Sequence, residues 1–314
     1  MLFRTEISLK KADQQIAYPD NIVLLGSCFA ENIGNRLKES KFNVSVNPFG
    51  ILYNPLSIEN ALRILLEKRL LSTEDLFPYN GLWHSFAHHG VFSGIDCEET
   101  LQNINNQIRI SVEKLLKTDF LLITFGTAFV YEKDGKTVAN CHKLPDRFFT
   151  RRRLSVQEIV DCYTKLVTDI QQINPKIRFV FTVSPIRHWK DGAHENQLSK
   201  STLLLAINEL QTRCSNIDYF PAYEIVLDEL RDYRFYEEDM LHPNNQAITY
   251  IWEKFSETYF SAETRQIEKE IAQIIKAENH RPLNPQTAEY QLFLQHLDTK
   301  KTDFLAKHPF VCFL

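Results

Sequence analysis

Five short runs of mostly apolar residues constrain the fold of this chain more than any other feature. Their hydrophobic residues are largely uninterrupted and do not alternate with polar ones. This character is typical of strands buried on both faces, as in a parallel sheet that helices cover on each side. The runs are residues 22–25, 44–46, 120–125, 177–183 and 217–220.

Helical patterns lie between these runs. Apolar residues recur at helical spacing within residues 30–37, 58–66, 154–173 and 203–210. Because strands alternate with helices, right-handed crossovers place helices on both faces of the sheet. The sequence therefore predicts an α/β fold, a three-layer α/β/α sandwich with a five-stranded parallel sheet.

Two insertions and a C-terminal segment depart from this alternation of strands and helices. A long segment separates the second and third runs, and Asp134-Gly135 predicts a hairpin turn just after the third. Beyond residue 260 the apolar spacing predicts a helical C-terminal extension. We assign residues 1–260 to the α/β domain and residues 261–314 to the extension, which we expect to pack on the domain or on a second copy in a homodimer.

Composition excludes several classes of function. The 36 basic and 40 acidic residues leave a net charge of −4, so we expect neither nucleic acid nor a membrane as partner. The apolar runs are shorter than the ~20 residues of a membrane span. The first 11 residues show no signal peptide, which predicts a cytoplasmic protein. The six cysteines form no CxxC pair, and no GxGxxG or Walker motif occurs, so we expect no disulfide framework and no cofactor.

The first strand–helix turn is the sharpest candidate site, because the first apolar run leads directly into Gly26-Ser27-Cys28-Phe29. Ligands of open parallel sheets bind outside the carboxyl ends of the strands. A helix N-terminus also favours an anion and lowers the pKa of a thiol. The turn therefore predicts a nucleophile at Ser27 or Cys28. The alternative is that Ser27 caps the helix and Cys28 is a small buried residue.

A second candidate site follows the fifth run, where Asp239 precedes His242 by three residues. An aspartate at this spacing can hold the imidazole through its Nδ1–H and leave Nε2 free to accept a proton from a nucleophile. The alternative is that Asp239 caps the helix that begins near Asn244 and that His242 is an ordinary surface residue. Pro243 would suit the first turn of that helix. The chain order of nucleophile, Asp and His favours the functional interpretation.

Residues 26–30 spell GSCFA, and on this motif the chain resembles the GSCFA family, which is similar in layout to the SGNH (GDSL-type) hydrolases. The resemblance covers most of residues 18–260. It implies a flavodoxin-like, SGNH-hydrolase-like fold and acyl-transfer chemistry. Three further landmarks of the resemblance are Gly50, Gly126-Thr127 and Asp239-x-x-His242-Pro243.

The departures from the SGNH pattern bear on the site. The family register places the nucleophile at Cys28, and a shift of one residue places it at Ser27. The SGNH oxyanion-binding asparagine is replaced by Ala128, and Asn140 or His142, at the end of the inserted hairpin, is the candidate replacement. The alternative is that Asn140 and His142 only complete the hairpin. The resemblance also implies that the Gly50 N–H is an oxyanion donor, together with the N–H of the nucleophile turn.

Other residues carry weaker predictions. Arg187 follows the fourth run and either binds an anionic substrate or pairs with Asp191 or Glu195. A zinc site is chemically feasible, but its members lack a zinc-binding spacing, and we expect no metal. Its members would be Cys28, Cys141, His142 and His242.

Together these features predict a hydrolase or acyltransferase that acts on an ester or O-acyl group of a small molecule, glycan or lipid. Cys28 or Ser27 attacks, His242 moves the proton and Asp239 orients the imidazole. The competing hypothesis is a ligand-binding protein on a scaffold that has lost its catalytic groups, since position 128 lacks the asparagine. A metal-dependent hydrolase is a third, weaker hypothesis.

Overall fold

The computed structural model describes residues 5–311 and residue 313, so Cys312 lies outside the described residues. Within them the chain forms ten strands: β1 (Asn21–Gly26), β2 (Asn43–Val46), β3 (Leu76–Tyr79), β4 (Leu82–Ser85), β5 (Phe120–Phe125), β6 (Phe129–Lys133), β7 (Lys136–Val138), β8 (Thr150–Arg153), β9 (Arg178–Val183) and β10 (Ile217–Tyr219). The same residues form nine α-helices: α1 (Cys28–Glu39), α2 (Pro55–Leu66), α3 (Cys97–Leu116), α4 (Val156–Ile173), α5 (Gly192–Arg213), α6 (Ala222–Glu224), α7 (Asn245–Tyr259), α8 (Ala262–Glu278) and α9 (Ala288–Lys307). Helix α6 continues into a π turn at Ile225–Glu229.

Five of the strands form one parallel sheet in the spatial order β10-β9-β5-β1-β2. Counted along the chain this is the 2-1-3-4-5 order of flavodoxin-like folds, in which the strand order reverses between the first and third strands. The predicted three-layer sandwich is confirmed. Each of the five strands agrees with its predicted apolar run to within one residue at either end.

The sheet is covered on both faces because the side chains of each strand alternate between two apolar cores. In β1, Val23 and Leu25 join the core formed with α2, α3, α4 and α5. Ile22 and Leu24 point to the opposite core, which includes residues of α1, α7 and α8. All six residues of the central strand β5 are buried. This burial explains why the runs lack polar alternation.

Two small antiparallel sheets form the insertions. The predicted hairpin is confirmed as β6 and β7, and β8 joins β6 as a third strand that the sequence analysis did not predict. The β3–β4 hairpin and helix α3 were also not predicted. The turn of that hairpin, Asn80-Gly81, has φ values of 49° and 76°. Positive φ at both positions is what a type I′ turn requires.

The C-terminal helices lie beyond α7. Three isoleucines of α8, at positions 267, 271 and 274, are buried in the core that contains α1 and α7, and α9 contributes Phe304. Thr264 Oγ1 donates to the Ile16 carbonyl at 3.1 Å, which ties α8 to the N-terminal segment. Across residues 5–311 no helix combines the length and apolar content needed to cross a membrane. The division of the chain at residue 260 stays a prediction.

Gly26 sets the close approach between β1 and β5. Its φ of +146° lies in a region that favours glycine, and a Cβ there would lie 2.2 Å from the Thr124 carbonyl oxygen. The Gly26 N–H donates to Asn47 Oδ1 at 2.9 Å. Any side chain at position 26 would therefore push the two strands apart at the end that carries the candidate nucleophile.

We expect Gly26→Ala to lower the free energy of unfolding by more than about 2 kcal/mol, because it adds both backbone strain and a clash with backbone atoms. Gly135→Ala is the matched control, since Gly135 has φ +75° but no atom within 4 Å of the added Cβ. Gly135→Ala should lower the free energy of unfolding by only about 1 kcal/mol. Urea unfolding of both variants measures the difference, and equal losses would contradict the steric argument.

Candidate active site

The turn after β1 presents Cys28 and buries Ser27. Ser27 is the N-cap of α1, and its Oγ accepts the Phe29 N–H at 3.3 Å. The Ser27 N–H donates to the Thr124 carbonyl at 3.3 Å, and the residue is 1% exposed. Cys28 is the first residue of α1 and is partly exposed. Of the two candidate nucleophiles, Cys28 is therefore the one that a substrate can approach.

Burial raises the pKa of the Cys28 thiol above its ordinary value, and this effect exceeds the opposing one of the Cys28 and Phe29 N–H groups. A nearby Glu31 carboxylate raises the pKa further, whereas Lys200 lowers it. The N–H groups at the helix N-terminus lower the thiol pKa, as expected, but desolvation disfavours the thiolate more strongly and the net shift is upward. Cys28 is therefore a protonated thiol at neutral pH and needs a base to react.

The backbone N–H groups of Gly50, Gly126 and Thr127 already donate hydrogen bonds to carbonyls of the protein. The Gly50 N–H donates to the Asn47 carbonyl at 2.7 Å. The Gly126 and Thr127 N–H groups both donate to the Tyr53 carbonyl, at 2.7 and 2.9 Å. The expected oxyanion donor at Gly50 is thus bonded within its own turn, and Gly126 and Thr127 hold the loop after β2 against the end of β5.

Ala128 offers no donor to the site, because its side chain is fully buried in the apolar core. Its N–H donates to Ser199 Oγ at 2.8 Å, and Thr127 Oγ1 lies 3.1 Å from the same hydroxyl. By contrast, the Cys28 N–H donates to no second residue within the described ranges. It lies close enough to its own thiol to lower the thiol pKa. The Cys28 N–H is therefore the backbone donor that remains available at the nucleophile turn.

Asp239 and His242 form the pair that their spacing predicts. Asp239 Oδ2 lies 2.5 Å from His242 Nδ1, and Asp239 Oδ1 accepts the Leu241 and His242 N–H groups, both at 2.9 Å. These N–H groups and the imidazole lower the pKa of Asp239 to about 2. A carboxylate can only accept, so Nδ1 carries the proton and Nε2 is directed elsewhere. The side chain of His242 is 48% exposed.

The alternative role of Asp239 as a helix cap is wrong. Asn244 is the N-cap of α7, since its Oδ1 accepts the Ala247 N–H at 3.1 Å. Pro243 lies before this cap and not in the first turn of the helix. Asp239 therefore holds the imidazole and the loop that carries it.

The structure adds His188 to the site, a residue that the sequence analysis did not single out. His188 Nε2 lies 3.3 Å from the place a Gly126 Cβ would occupy, and its ring meets Tyr53 edge-on at 5.5 Å. Burial, with Lys200 and then His242 among the nearby charges, lowers the pKa of His188 to about 4. His188 therefore lies near both Gly126 and His242. In the part of the chain described, no hydrogen bond joins His242 to Cys28.

Lys200 is the other site residue that the sequence analysis missed. It lies on α5 and is 0% exposed, and its Nζ donates to the carbonyls of Gly126 at 2.7 Å and Ser184 at 2.6 Å. The signal was present in the sequence, because Lys200 shares the helical stripe of Leu203 and Ile207. A lysine in the apolar stripe of a helix is rarely buried without a specific partner.

Arg187 does not pair with either acid that its sequence neighbourhood offers. Asp191 binds Arg151, and Glu195 lies 3.3 Å from Arg153. The predicted alternative of an Arg187 ion pair with Asp191 or Glu195 is therefore wrong. Among residues 5–311 and 313 no ion pair includes Arg187.

A cavity of about 470 Å³ lies beside this guanidinium and reaches the Asp239 loop. Trp189 and Tyr233, which line the cavity, are 52% and 73% exposed. The cavity therefore combines an unpaired cation with exposed aromatic surface and adjoins the residue that holds His242. Its lining includes Arg187, Trp189, Tyr233, Tyr236 and Asp239.

Asn140 and His142 lie against the β3–β4 hairpin. Asn140 Oδ1 accepts the His142 N–H at 2.8 Å, and His142 Nε2 donates to the Ser85 carbonyl at 2.9 Å. The His142 ring centroid is 4.5 Å from that of His84, and burial lowers the pKa of His142 to about 4. The Ser85 carbonyl occupies the His142 Nε2–H, whereas the bond at Asn140 uses only its acceptor oxygen. Asn140 therefore stays the predicted replacement for the donor that Ala128 lacks.

The residues considered for a zinc site do not come together. His142 is bonded to the Ser85 carbonyl and His242 to Asp239, at separate places in the fold. Within residues 5–311 and 313 no group of three or more His, Cys, Asp and Glu side chains is arranged to hold a metal ion.

The sequence comparisons agree with the motif at the nucleophile turn. Residues 21–255 match the GSCFA family, and residues 271–314 match the GSCFA domain protein, C-terminal domain. The chain belongs to the GSCFA family. The first match begins at β1 and ends within α7, so it contains every site residue described above. No curated protein matches the sequence.

Two solved structures are similar to this GSCFA protein. One is a carbohydrate esterase family 3 protein from Talaromyces cellulolyticus, with 10% identity, a TM-score of 0.37, and coverage of 80% of this chain and 98% of that chain. The other is an acetyl xylan esterase from the rumen bacterium Butyrivibrio proteoclasticus, with 10% identity, a TM-score of 0.37, and coverage of 77% and 64%.

The raised thiol pKa makes a prediction for the GSCFA motif. We expect iodoacetamide to alkylate Cys28 more slowly than glutathione at pH 7, because only the thiolate reacts and burial disfavours it. The difference between the alkylation rates of Cys28 and glutathione should become smaller as the pH rises above the pKa of an ordinary thiol. Peptide mass spectrometry after timed alkylation measures the rate at each pH. Rapid alkylation at pH 6 would show that the helix N-terminus outweighs burial.

Proposed function

We propose that this GSCFA protein is an SGNH-like hydrolase or acyltransferase that acts on an ester or O-acyl group through Cys28. The observation that carries the proposal is the Asp239–His242 pair, whose 2.5 Å bond fixes the tautomer that leaves Nε2 able to accept a proton. Cys28 at the start of α1 supplies the nucleophile that this pair requires. Cys28 directly follows β1, and the Asp239 loop lines a cavity with Arg187 just after β9, near the carboxyl edge where ligands of parallel sheets bind.

The proposed reaction has two steps. Cys28 Sγ forms a bond with the acyl carbonyl carbon, the thiol proton passes to His242 Nε2, and the C–O bond breaks as the alcohol leaves with that proton. Water or an acceptor alcohol then attacks the thioester and gives its proton to His242. The C–S bond breaks, the proton returns to the thiol, and an acid or a new ester is released. The proton moves directly or through one water, since catalytic contacts tighten when substrate binds.

The oxyanion that develops in each step needs a donor. The Cys28 N–H is suited to this role, because no second residue of the described chain accepts it and it lies at a helix N-terminus. Ala128 provides none. We therefore expect modest acceleration, because the loss of one oxyanion donor costs on the order of 10²–10³ in rate.

The cavity beside the Asp239 loop suits the part of the substrate that carries negative charge. The Arg187 guanidinium makes no ion pair within the described residues, so its donors are available for a carboxylate or phosphate. Exposed aromatic rings such as Trp189 and Tyr233 provide apolar surface for the rest of the molecule. We propose an anionic small-molecule, glycan or lipid ester as the substrate.

The first test of the proposal is His242→Ala. Its kcat/KM for p-nitrophenyl acetate should fall at least about 100-fold, because the variant loses its general base. His296→Ala, which removes an exposed histidine of α9, is the matched control and should retain activity. Unchanged turnover in His242→Ala, with a fall in His188→Gln, would move the base to His188. Unchanged turnover in both variants would refute the proposed mechanism.

The second test concerns substrate charge. Arg187→Gln should raise KM about tenfold or more for p-nitrophenyl hydrogen succinate, because a charged hydrogen bond is lost. The same variant should leave KM for neutral p-nitrophenyl acetate unchanged. Arg153→Gln is the matched control, since the Arg153 guanidinium is paired with Glu195. Steady-state kinetics of the four combinations measure the effect, and equal KM changes for both esters would contradict anion recognition.

A ligand-binding protein is the second candidate function. It is favoured by the internal bonds of the Gly50, Gly126 and Thr127 N–H groups and by the protonated state of the Cys28 thiol. It predicts that an anionic ester raises the melting temperature without turnover, and that Cys28→Ala binds as well as the wild type. Hydrolysis that disappears in Cys28→Ala would exclude it.

A further inference from the structure

A buried lysine lies between the ends of two neighbouring strands of the central sheet. Lys200 is 0% exposed, and its Nζ donates to the Gly126 carbonyl just after β5 and to the Ser184 carbonyl just after β9. These two bonds, of 2.7 and 2.6 Å, use two of the three donors of an ammonium group. No carboxylate pairs with Lys200 in the described part of the chain, so its charge is not neutralised by an acid.

The pairing of β1 with β5 brings this ammonium beside the nucleophile turn. Gly26 is opposite Thr124 in the sheet, and the Ser27 N–H donates to the Thr124 carbonyl. Cys28 follows Gly26 by two residues, just as Gly126 follows Thr124 by two. The ammonium bound to the Gly126 carbonyl therefore lies at the same end of the sheet as the start of α1, where its charge acts on the Cys28 thiol.

A purely structural role does not account for this arrangement. Burying a charged group without a countercharge is costly, and two carbonyl contacts offset only part of that cost. A negative charge that develops nearby would offset it further. The Lys200 ammonium lowers the pKa of the Cys28 thiol, by less than burial and Glu31 raise it, and the thiolate in turn raises the pKa of the ammonium.

We propose that Lys200 is a positioning residue for Cys28, and that its buried positive charge stabilises the thiolate and the anionic intermediate formed at the nucleophile turn. This inference rests on the proposed function for its catalytic meaning. The charge interaction itself can be measured without any substrate. In this proposal the Lys200 ammonium stabilises the anionic intermediate in place of the side-chain donor that Ala128 cannot provide.

Other titratable groups also face the two partners. Arg187, His188 and the Tyr223 ring lie around Lys200, while Glu31 and Tyr53 lie around Cys28. Burial lowers the pKa of Lys200 to about 7, with Arg187 acting in the same direction. The ammonium therefore carries its full charge at pH 6 and loses it above about pH 8, which gives the interaction a defined pH window.

The experiment compares the alkylation rate of Cys28 by iodoacetamide in wild type and in Lys200→Met between pH 6 and pH 10. We expect the wild type to react about tenfold faster at pH 6, because a tenfold change in thiolate fraction corresponds to one pKa unit. The two rates should converge above about pH 8, where Lys200 is neutral in the wild type. A structural role alone would not produce a ratio that depends on pH in this way.

Lys200→Gln is the second variant, because it keeps a neutral hydrogen-bond donor where Lys200→Met does not, and it should show the same loss at pH 6. Lys254→Gln is the matched control, since Lys254 is also a buried lysine but is paired with Glu229 at 3.6 Å in the opposite core. In Lys254→Gln the dependence of the Cys28 alkylation rate on pH should match that of the wild type. Equal rates in wild type and both Lys200 variants at pH 6 would overturn the proposal. If the Cys28 alkylation rates of wild type and the Lys200 variants differ tenfold at pH 6 but the protein has no esterase activity, the charge interaction is supported and the proposed function is refuted.

Discussion

At Gly26 the backbone of β1 runs so close to β5 that even a methyl group would meet the Thr124 carbonyl at 2.2 Å. This contact fixes the register of the two central strands at the switch point of the sheet. The start of α1, the loop after β2 that Asn47 holds, and the carbonyl that binds Lys200 all take their positions from it. The geometry of the candidate site is therefore set by strand packing before any catalytic side chain is considered.

The polar groups at this edge divide into two sets with different roles. The backbone N–H groups of Gly50, Gly126 and Thr127 are used to join loops, which gives a rigid edge with few free donors. The groups able to act on a substrate are side chains and the first N–H of α1. Chemistry at this edge consequently depends on a few side chains held by a stiff backbone, as accurate positioning requires.

The central fold could be predicted from the sequence because buried parallel strands and amphipathic helices produce local patterns. The Asp239–His242 pair could be predicted for the same reason, since both residues lie in one loop. His188 was missed because its importance arises from strand order, which brings together residues far apart in the chain. Lys200 was marked as buried by the apolar stripe of α5, but its partners at two strand ends could not be read from that stripe. The net shift of the Cys28 pKa could not be predicted, because burial opposes the helix N-terminus and cannot be judged from a helix start alone.

The three consecutive arginines of β8 have a consequence for how substrates arrive. Each side chain is matched by an acid from the surrounding elements: Arg151 by Asp191, Arg152 by Glu132 and Glu158, and Arg153 by Glu195. Their charges therefore cancel over short distances and project little field into solvent. Electrostatic steering from this strand is weak, so an anionic molecule would reach Arg187 by ordinary diffusion and be retained by short-range contacts.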